Sequence, residues 1–163
     1  MKKYSKIPYL ALFLLLCFYS CNSKPLAPIK PPDSIGNLKL GKYKTGKEAL
    51  KEIFMLHGRK MGLINGYVAN YEEKDGKATV YYSVAKHEKL AKRLIDWMVK
   101  RIGNSHEIFK GLKKEQTGSQ TFYSVYGMSQ KHFFLCKDDK VIWIAADLQV
   151  ANLVIEDFVK KII

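Results

Sequence analysis

The sequence predicts an α+β domain, an antiparallel β-sheet with helices packed on one face. Three observations predict it. Several short runs alternate apolar and polar residues with a period of two, and turn residues separate them. Three other stretches carry apolar residues at helical spacing. Behind its first 36 residues the chain is long enough for one domain with a proper core.

The elements follow in order. Thr45-Gly46-Lys47-Glu48 reads as a capping box, with Thr45 on the Glu48 amide and Glu48 reaching back. Ala49, Leu50, Ile53, Phe54 and His57 then share one helical face, and Gly58 stops the helix. "GYVANYEEKDGKATVYYSVA" is a hairpin. Tyr67, Ala69 and Tyr71 alternate on one strand, Ala78, Val80, Tyr82 and Val84 on the other, and Asp75-Gly76 turns between them. His87 to Ile102 is a second helix with Leu90, Ala91, Leu94, Ile95, Met98 and Ile102 inward. Glu88–Lys92 and Asp96–Lys100 pair on its outside. After a loop, Gln120–Tyr126, Lys131–Cys136 and Val141–Ala146 read as three strands. Asp147 caps a last helix with Val150, Ala151, Val154, Ile155, Phe158 and Ile162 on its apolar stripe. "KDGKATVYYSVA" and "KDDKVIWIAAD" each turn on Lys-Asp-x-Lys and each precede a helix. They read either as a weak ββα pseudo-repeat or as convergence on a common pattern.

The front of the chain is different. Lys2, Lys3 and Lys6 precede an apolar run from Ile7 to Tyr19, the pattern of a secretory leader. A membrane-spanning helix needs about 20 apolar residues, and this run is shorter. Ser20 is small and precedes Cys21, whereas Leu16 precedes Cys17, so the cut falls before Cys21. Phe18-Tyr19-Ser20-Cys21 here resembles the lipobox of a bacterial lipoprotein precursor, with Phe18 and Tyr19 departing from the usual Leu and small residue. The resemblance covers residues 1–21. It implies a signal peptide over 1–20, a diacylglycerol thioether on Cys21 and a further acyl chain such as palmitate on its amino group. It implies a protein lipid-anchored in the cell envelope. By the sorting rule of enterobacterial lipoproteins, Asn22 favours the outer membrane. Residues 21–36 follow as lipid attachment and tether, with Pro25, Pro28, Pro31 and Pro32. Such a spacer extends about 3.1 Å per residue and would hold the domain some 30 Å from the bilayer. The globular domain is assigned to 37–163.

Of the 28 Lys and Arg, three lie in the leader, which leaves a mature chain of about +10 against its 15 acids. Lys39, Lys42, Lys44, Lys47 and Lys51 concentrate that charge where the domain begins. This balance fits an anionic partner: lipid headgroups, an envelope polymer or an acidic protein surface. In the envelope no nucleic acid is expected. A solvated basic surface is the plainer account. With Cys17 removed and Cys21 acylated, Cys136 has no intramolecular partner and fits a packing role in an apolar strand.

Catalytic motifs fail. Ser83-Val84-Ala85-Lys86 and Lys44-Thr45-Gly46 imitate S-x-x-K and K-T-G, but in the wrong order and in too short a chain. One constellation bears on metals. His57-Gly-Arg-Lys-Met61 and Met128-Ser-Gln-Lys-His132 are mirror images, and imidazole with thioether suits copper or haem iron. Against it, both methionines could fill gaps, and His57 could close its helix against the dipole. Phe122, Tyr123, Tyr126, Phe133 and Phe134 crowd one hairpin beside Gln130 and Lys131. They form either a glycan or peptide surface or a sheet buried on both faces. The expected function is a lipid-anchored, non-enzymatic binding or assembly accessory with a basic surface. A metal- or haem-handling lipoprotein is the first alternative, and a hydrolase with an unrecognised site the second.

Overall fold

The computed structural model describes residues 26–104 and 108–162. In chain order the elements are β1 (Ser34–Ile35), β2 (Leu38–Thr45), α1 (Gly46–His57), β3 (Leu63–Glu73), β4 (Gly76–Ala85), α2 (Glu88–Gly103), β5 (Phe109–Thr117), β6 (Gln120–Gly127), β7 (Gln130–Lys137), β8 (Lys140–Asp147) and α3 (Ala151–Ile162). The strands form one sheet in the order β1-β2-β3-β4-β8-β7-β6-β5. Every neighbouring pair is antiparallel. The sheet-dominated α+β class stands.

The helices do not share a face. Tyr67, Ala69, Val80, Ile142, Ile144 and Phe133 point to the first face, where α3 covers them with Val150, Val154, Ile155 and Phe158. Val68, Val125, Phe134 and Val141 point to the second, under Ala49 and Ile53 of α1 and Leu94, Ile95 and Met98 of α2. The expectation of one covered face is therefore corrected. The physical reason lies in the central strands. "VIWIAA" in β8 and "FFLC" in β7 offer no polar side to water, so both faces need cover. The same geometry removes the pseudo-repeat as a spatial repeat. Ala78 and Val80 lie on the first face, but their counterparts Val141 and Trp143 lie on the second. A two-fold axis normal to the sheet would exchange the hairpins without exchanging faces.

Local chemistry departs from expectation at three points. Thr45 sits at the N-cap of α1 in extended conformation, but its side chain makes no capping bond. The hairpin turn is Lys74-Asp75, because Glu73 pairs with Gly76. Asp147 does not cap α3 with its side chain. Its carboxylate accepts from the Lys77 amide and the Gln130 side chain, both at 3.0 Å, tying two hairpins together. The cap of α2 is one residue outside its helix: His87 accepts from the Leu90 amide at 3.1 Å.

The segment expected to be a free spacer is docked from Leu26 onward. The Ala27 carbonyl accepts from Asn65 Nδ2 at 2.8 Å, and the Pro32 carbonyl accepts from the Tyr71 hydroxyl at 3.0 Å. Ile29 packs on the first core, Pro31 is buried, and Ser34–Ile35 is already a strand. Prolines cannot donate to a ladder, but their carbonyls still accept. The ordered body thus begins about ten residues before 37. Between Cys21 and Leu26 a fully extended chain reaches at most about 18 Å, at roughly 3.6 Å per residue. The 30 Å stand-off is not available to it.

Candidate functional site

Where α1 and α2 cross the second face they leave a cavity of about 420 Å³. Three small strand residues make its floor: Thr79 and Ser83 of β4 and Ala145 of β8. Tyr81, Trp143 and Phe109 form aromatic walls, and Ile53, Leu94, Trp97 and Met98 come from the helices. Trp143 is the centre of a ring cluster. It stacks on Phe134 at 5.1 Å between centroids and meets Phe109 edge-on at 5.9 Å. A shallower pocket of about 290 Å³ opens beside it and shares Leu56, His57, Trp97, Met98, Phe109 and Trp143. Arg101 stands on the lining of this second pocket.

The polar groups of the cavity are mostly committed. The Ser83 hydroxyl donates to the Val141 carbonyl at 3.1 Å. His132 is fully buried and both its ring nitrogens are engaged. Nε2–H donates to the Gly127 carbonyl at 3.0 Å, and Nδ1 accepts from the Trp143 indole at 3.2 Å. Burial pushes its pKa below the ordinary histidine value, against the smaller opposing effect of the Gly127 bond. His132 is therefore a neutral strut in the aromatic wall. His57 differs. Its Nδ1–H donates to the Ile53 carbonyl at 2.8 Å, which leaves Nε2 for the cavity.

All four residues of the expected metal constellation line this one cavity: His57, Met61, Met128 and His132. Of these, His132 could ligate only by giving up Gly127 or Trp143. Met128 is exposed in the two-residue turn between β6 and β7, where it and Ser129 both take positive φ, as a type I′ turn requires. Among the described residues no three His, Cys, Asp or Glu side chains gather in a metal-binding group.

The five lysines do not form one patch. Lys39 pairs with Glu73 at 2.8 Å. Thr45 lies opposite Tyr67, so Lys39 stands at the end of β2 farthest from α1, about 20 Å away. Lys44 bonds Glu52. Lys42 is exposed on β2. Lys47 and Lys51 join Arg59 and Lys60 around an open groove of α1 that contains Leu50, Phe54 and the exposed Met55. Cys21 lies outside the described residues. Cys136 is half-buried, and burial raises its thiol pKa, which suits packing. The aromatic hairpin is buried on both faces through Phe122, Phe133, Val125 and Phe134, while Tyr126 remains exposed.

Sequence reasoning passed over Trp97, Trp143 and Arg101, and counted Arg59 only among the basic residues between Lys39 and Lys60. The Arg59 guanidinium lies 4.7 Å, and that of Arg101 5.2 Å, from the Trp97 ring centroid. A signal was present. Trp97 stands three residues after inward-facing Leu94, and Arg101 four after Trp97, so all three project from neighbouring parts of one helix face. No family model matches the chain, and neither a curated protein nor a solved structure matches it.

Proposed function

We propose that this is a lipid-anchored protein of the bacterial cell envelope whose α+β domain binds a largely apolar small molecule and does no chemistry on it. The cavity of about 420 Å³ carries this reading. Ligand sites of a few hundred Å³ are typically apolar, aromatic and supplied with a few polar groups. Among the described residues no carboxylate stands on the lining, and the one serine hydroxyl there is already spent on a backbone carbonyl. That favours binding over the hydrolase alternative. The anchor rests on Ser20-Cys21 and on the leader before it. Cys21 lies only five residues before Leu26, so an acylated Cys21 would keep the domain against the membrane. The groove bordered by Lys47, Lys51, Arg59 and Lys60 is the basic surface best suited to an anionic envelope partner.

Two measurements test this. Intact-mass analysis of envelope-extracted protein should find a chain beginning at Cys21 and carrying acyl mass; another start, or no acyl mass, sinks the anchor. The domain should also bind the neutral dye Nile red with energy transfer from tryptophan. Ala145→Phe, which fills the floor, should remove that binding and leave the fold's circular dichroism intact. Dye binding unchanged by Ala145→Phe sinks the cavity as the site.

A second reading is a copper-handling lipoprotein, favoured by the convergence of His57, Met61 and Met128 on one lining. One imidazole and two thioethers form a soft donor set. Titration with Cu(I) should then show one equivalent bound, lost in His57→Ala and retained in His132→Gln. No uptake by the wild type removes it.

A further inference from the structure

We propose that the ligand is a single-chain amphiphile with an anionic head, its chain in the cavity and its head at Arg59 and Arg101. The proposal rests on the reading of the cavity as a ligand site and adds the head group and its receptor. The two pockets share six lining residues, so the deep apolar space and the shallower one are neighbours. Trp97 lines both. Two guanidiniums stand against its ring, at 4.7 and 5.2 Å.

Arginine on an aromatic face leaves the N–H edge of its planar fork free, and that edge matches carboxylate or phosphate oxygens. Among the described residues neither arginine has a carboxylate within ion-pair distance, although seven lysine–carboxylate pairs form elsewhere. An anion bound against either guanidinium gains an attraction for which no described carboxylate competes. The interior argues the other half. Among the described residues no Lys, Arg, Asp or Glu lines the larger of these two cavities, so a charged group carried inside would be desolvated without a counter-ion. Charge complementarity therefore puts the anion at the arginines and an aliphatic chain within. A fatty-acid carboxylate and a lysophospholipid phosphate share this chemistry.

The chain has two tryptophans, and both line the cavity, so intrinsic fluorescence reports occupancy directly. Both cores as described are built from residues 26–162, so the chain from Asn22 is the species to titrate. The probes are dodecanoate, lysophosphatidylglycerol, dodecanol and dodecyltrimethylammonium, each below its critical micelle concentration. The anionic probes should bind saturably, at least tenfold more tightly than dodecanol, with the ammonium weakest. The tighter of the two anionic probes identifies the source. Arg59→Gln with Arg101→Gln should reduce the affinity of the anionic probes tenfold or more and leave dodecanol unchanged. Equal affinity for dodecanol and dodecanoate, insensitive to the double variant, overturns the head-group assignment while the apolar site stands. Saturation by none of the four overturns both.

Discussion

His132 gives the sharpest separation between a structural and a ligating role. It is buried, and it bridges the Gly127 carbonyl at 3.0 Å to the Trp143 indole at 3.2 Å. His132→Leu keeps much of the volume and removes both bonds. The stranded indole N–H and carbonyl each lose about 1–3 kcal/mol of hydrogen bonding. Gly127 is only half-buried, so water recovers part of its share. A loss of about 3 kcal/mol results, a large part of the 5–15 kcal/mol that holds a typical domain. Urea unfolding followed by far-ultraviolet circular dichroism measures it, and the melting temperature should fall by about 10 °C. A change below about 0.5 kcal/mol would refute the strut.

The same residue sets a pH dependence with a definite sign. Burial lowers the folded-state pKa of His132 below 6.5. The unfolded chain therefore takes up a proton near 6.5 while the folded one does not. This contribution to stability is complete above that pH and is lost as pH falls below it, by up to about 1.4 kcal/mol per unit, until the folded histidine also protonates. Wild type minus His132→Leu isolates it from the other histidines. A difference that grows on acidification, instead of shrinking, would contradict a neutral buried ring.

Three further outcomes follow from the packing. Gly66→Ala should destabilise by several kcal/mol or prevent folding, since a Cβ there would stand 2.3 Å from the Tyr82 carbonyl oxygen; a soluble variant melting near wild type would show that the strands can separate. Asn65→Ala should release the docked segment at Ala27, raising amide exchange and protease cutting around residues 26–33 while β3 stays protected, and unchanged protection there would mean that Ile29 and Tyr71 suffice to hold it. Lys47→Glu with Lys51→Glu and Lys60→Glu should weaken binding of the domain to phosphatidylglycerol vesicles at low salt, by about 1 kcal/mol for each charge near the surface, and vesicle binding indifferent to these changes would take the α1 groove out of any anionic interface.

What could be read from the sequence was what local periodicity carries. The β3–β4 hairpin, α2, β6 to β8 and α3 all repeat an apolar residue at a regular interval, and each was placed within a few residues of its position. β2 escaped because its alternation breaks. A bulge between Leu40 and Tyr43 shifts the register, and the lysines around it look like a solvated run. β5 escaped for a related reason. It is an edge strand, and Lys110, Lys113 and Lys114 protect its open side from further pairing, which erases the apolar pattern. The assignment of helices to faces was not local at all. It depended on noticing that β7 and β8 are apolar on both sides. The candidate site was half legible. His57, Met61, Met128 and His132 were singled out for their spacing and do share a cavity, but the hydrogen bonds that retire His132 come from Trp143 and from a turn carbonyl.

The cavity itself follows from residue size. On the first face the central strands present Tyr67, Tyr71, Val80, Ile144 and Phe133, and one helix with the docked segment fills the remaining space. On the second face the same strands present Thr79, Ser83 and Ala145, so the floor is low exactly where two helices must span it. Large residues, Trp143 and Tyr81 among them, stand around that floor on the same lining. Space left this way costs stability, because each wall atom forfeits its dispersion partners. Larger apolar residues at Thr79, Ser83 or Ala145 would recover that loss, and hydrophobic substitutions of this kind are easy for a core to accept. A floor of three small side chains beneath two tryptophans is therefore better explained by an occupant than by packing alone. On the proposal made above, Arg59 and Arg101, which have no ion-pair partner among the described residues, would set the charge of that occupant.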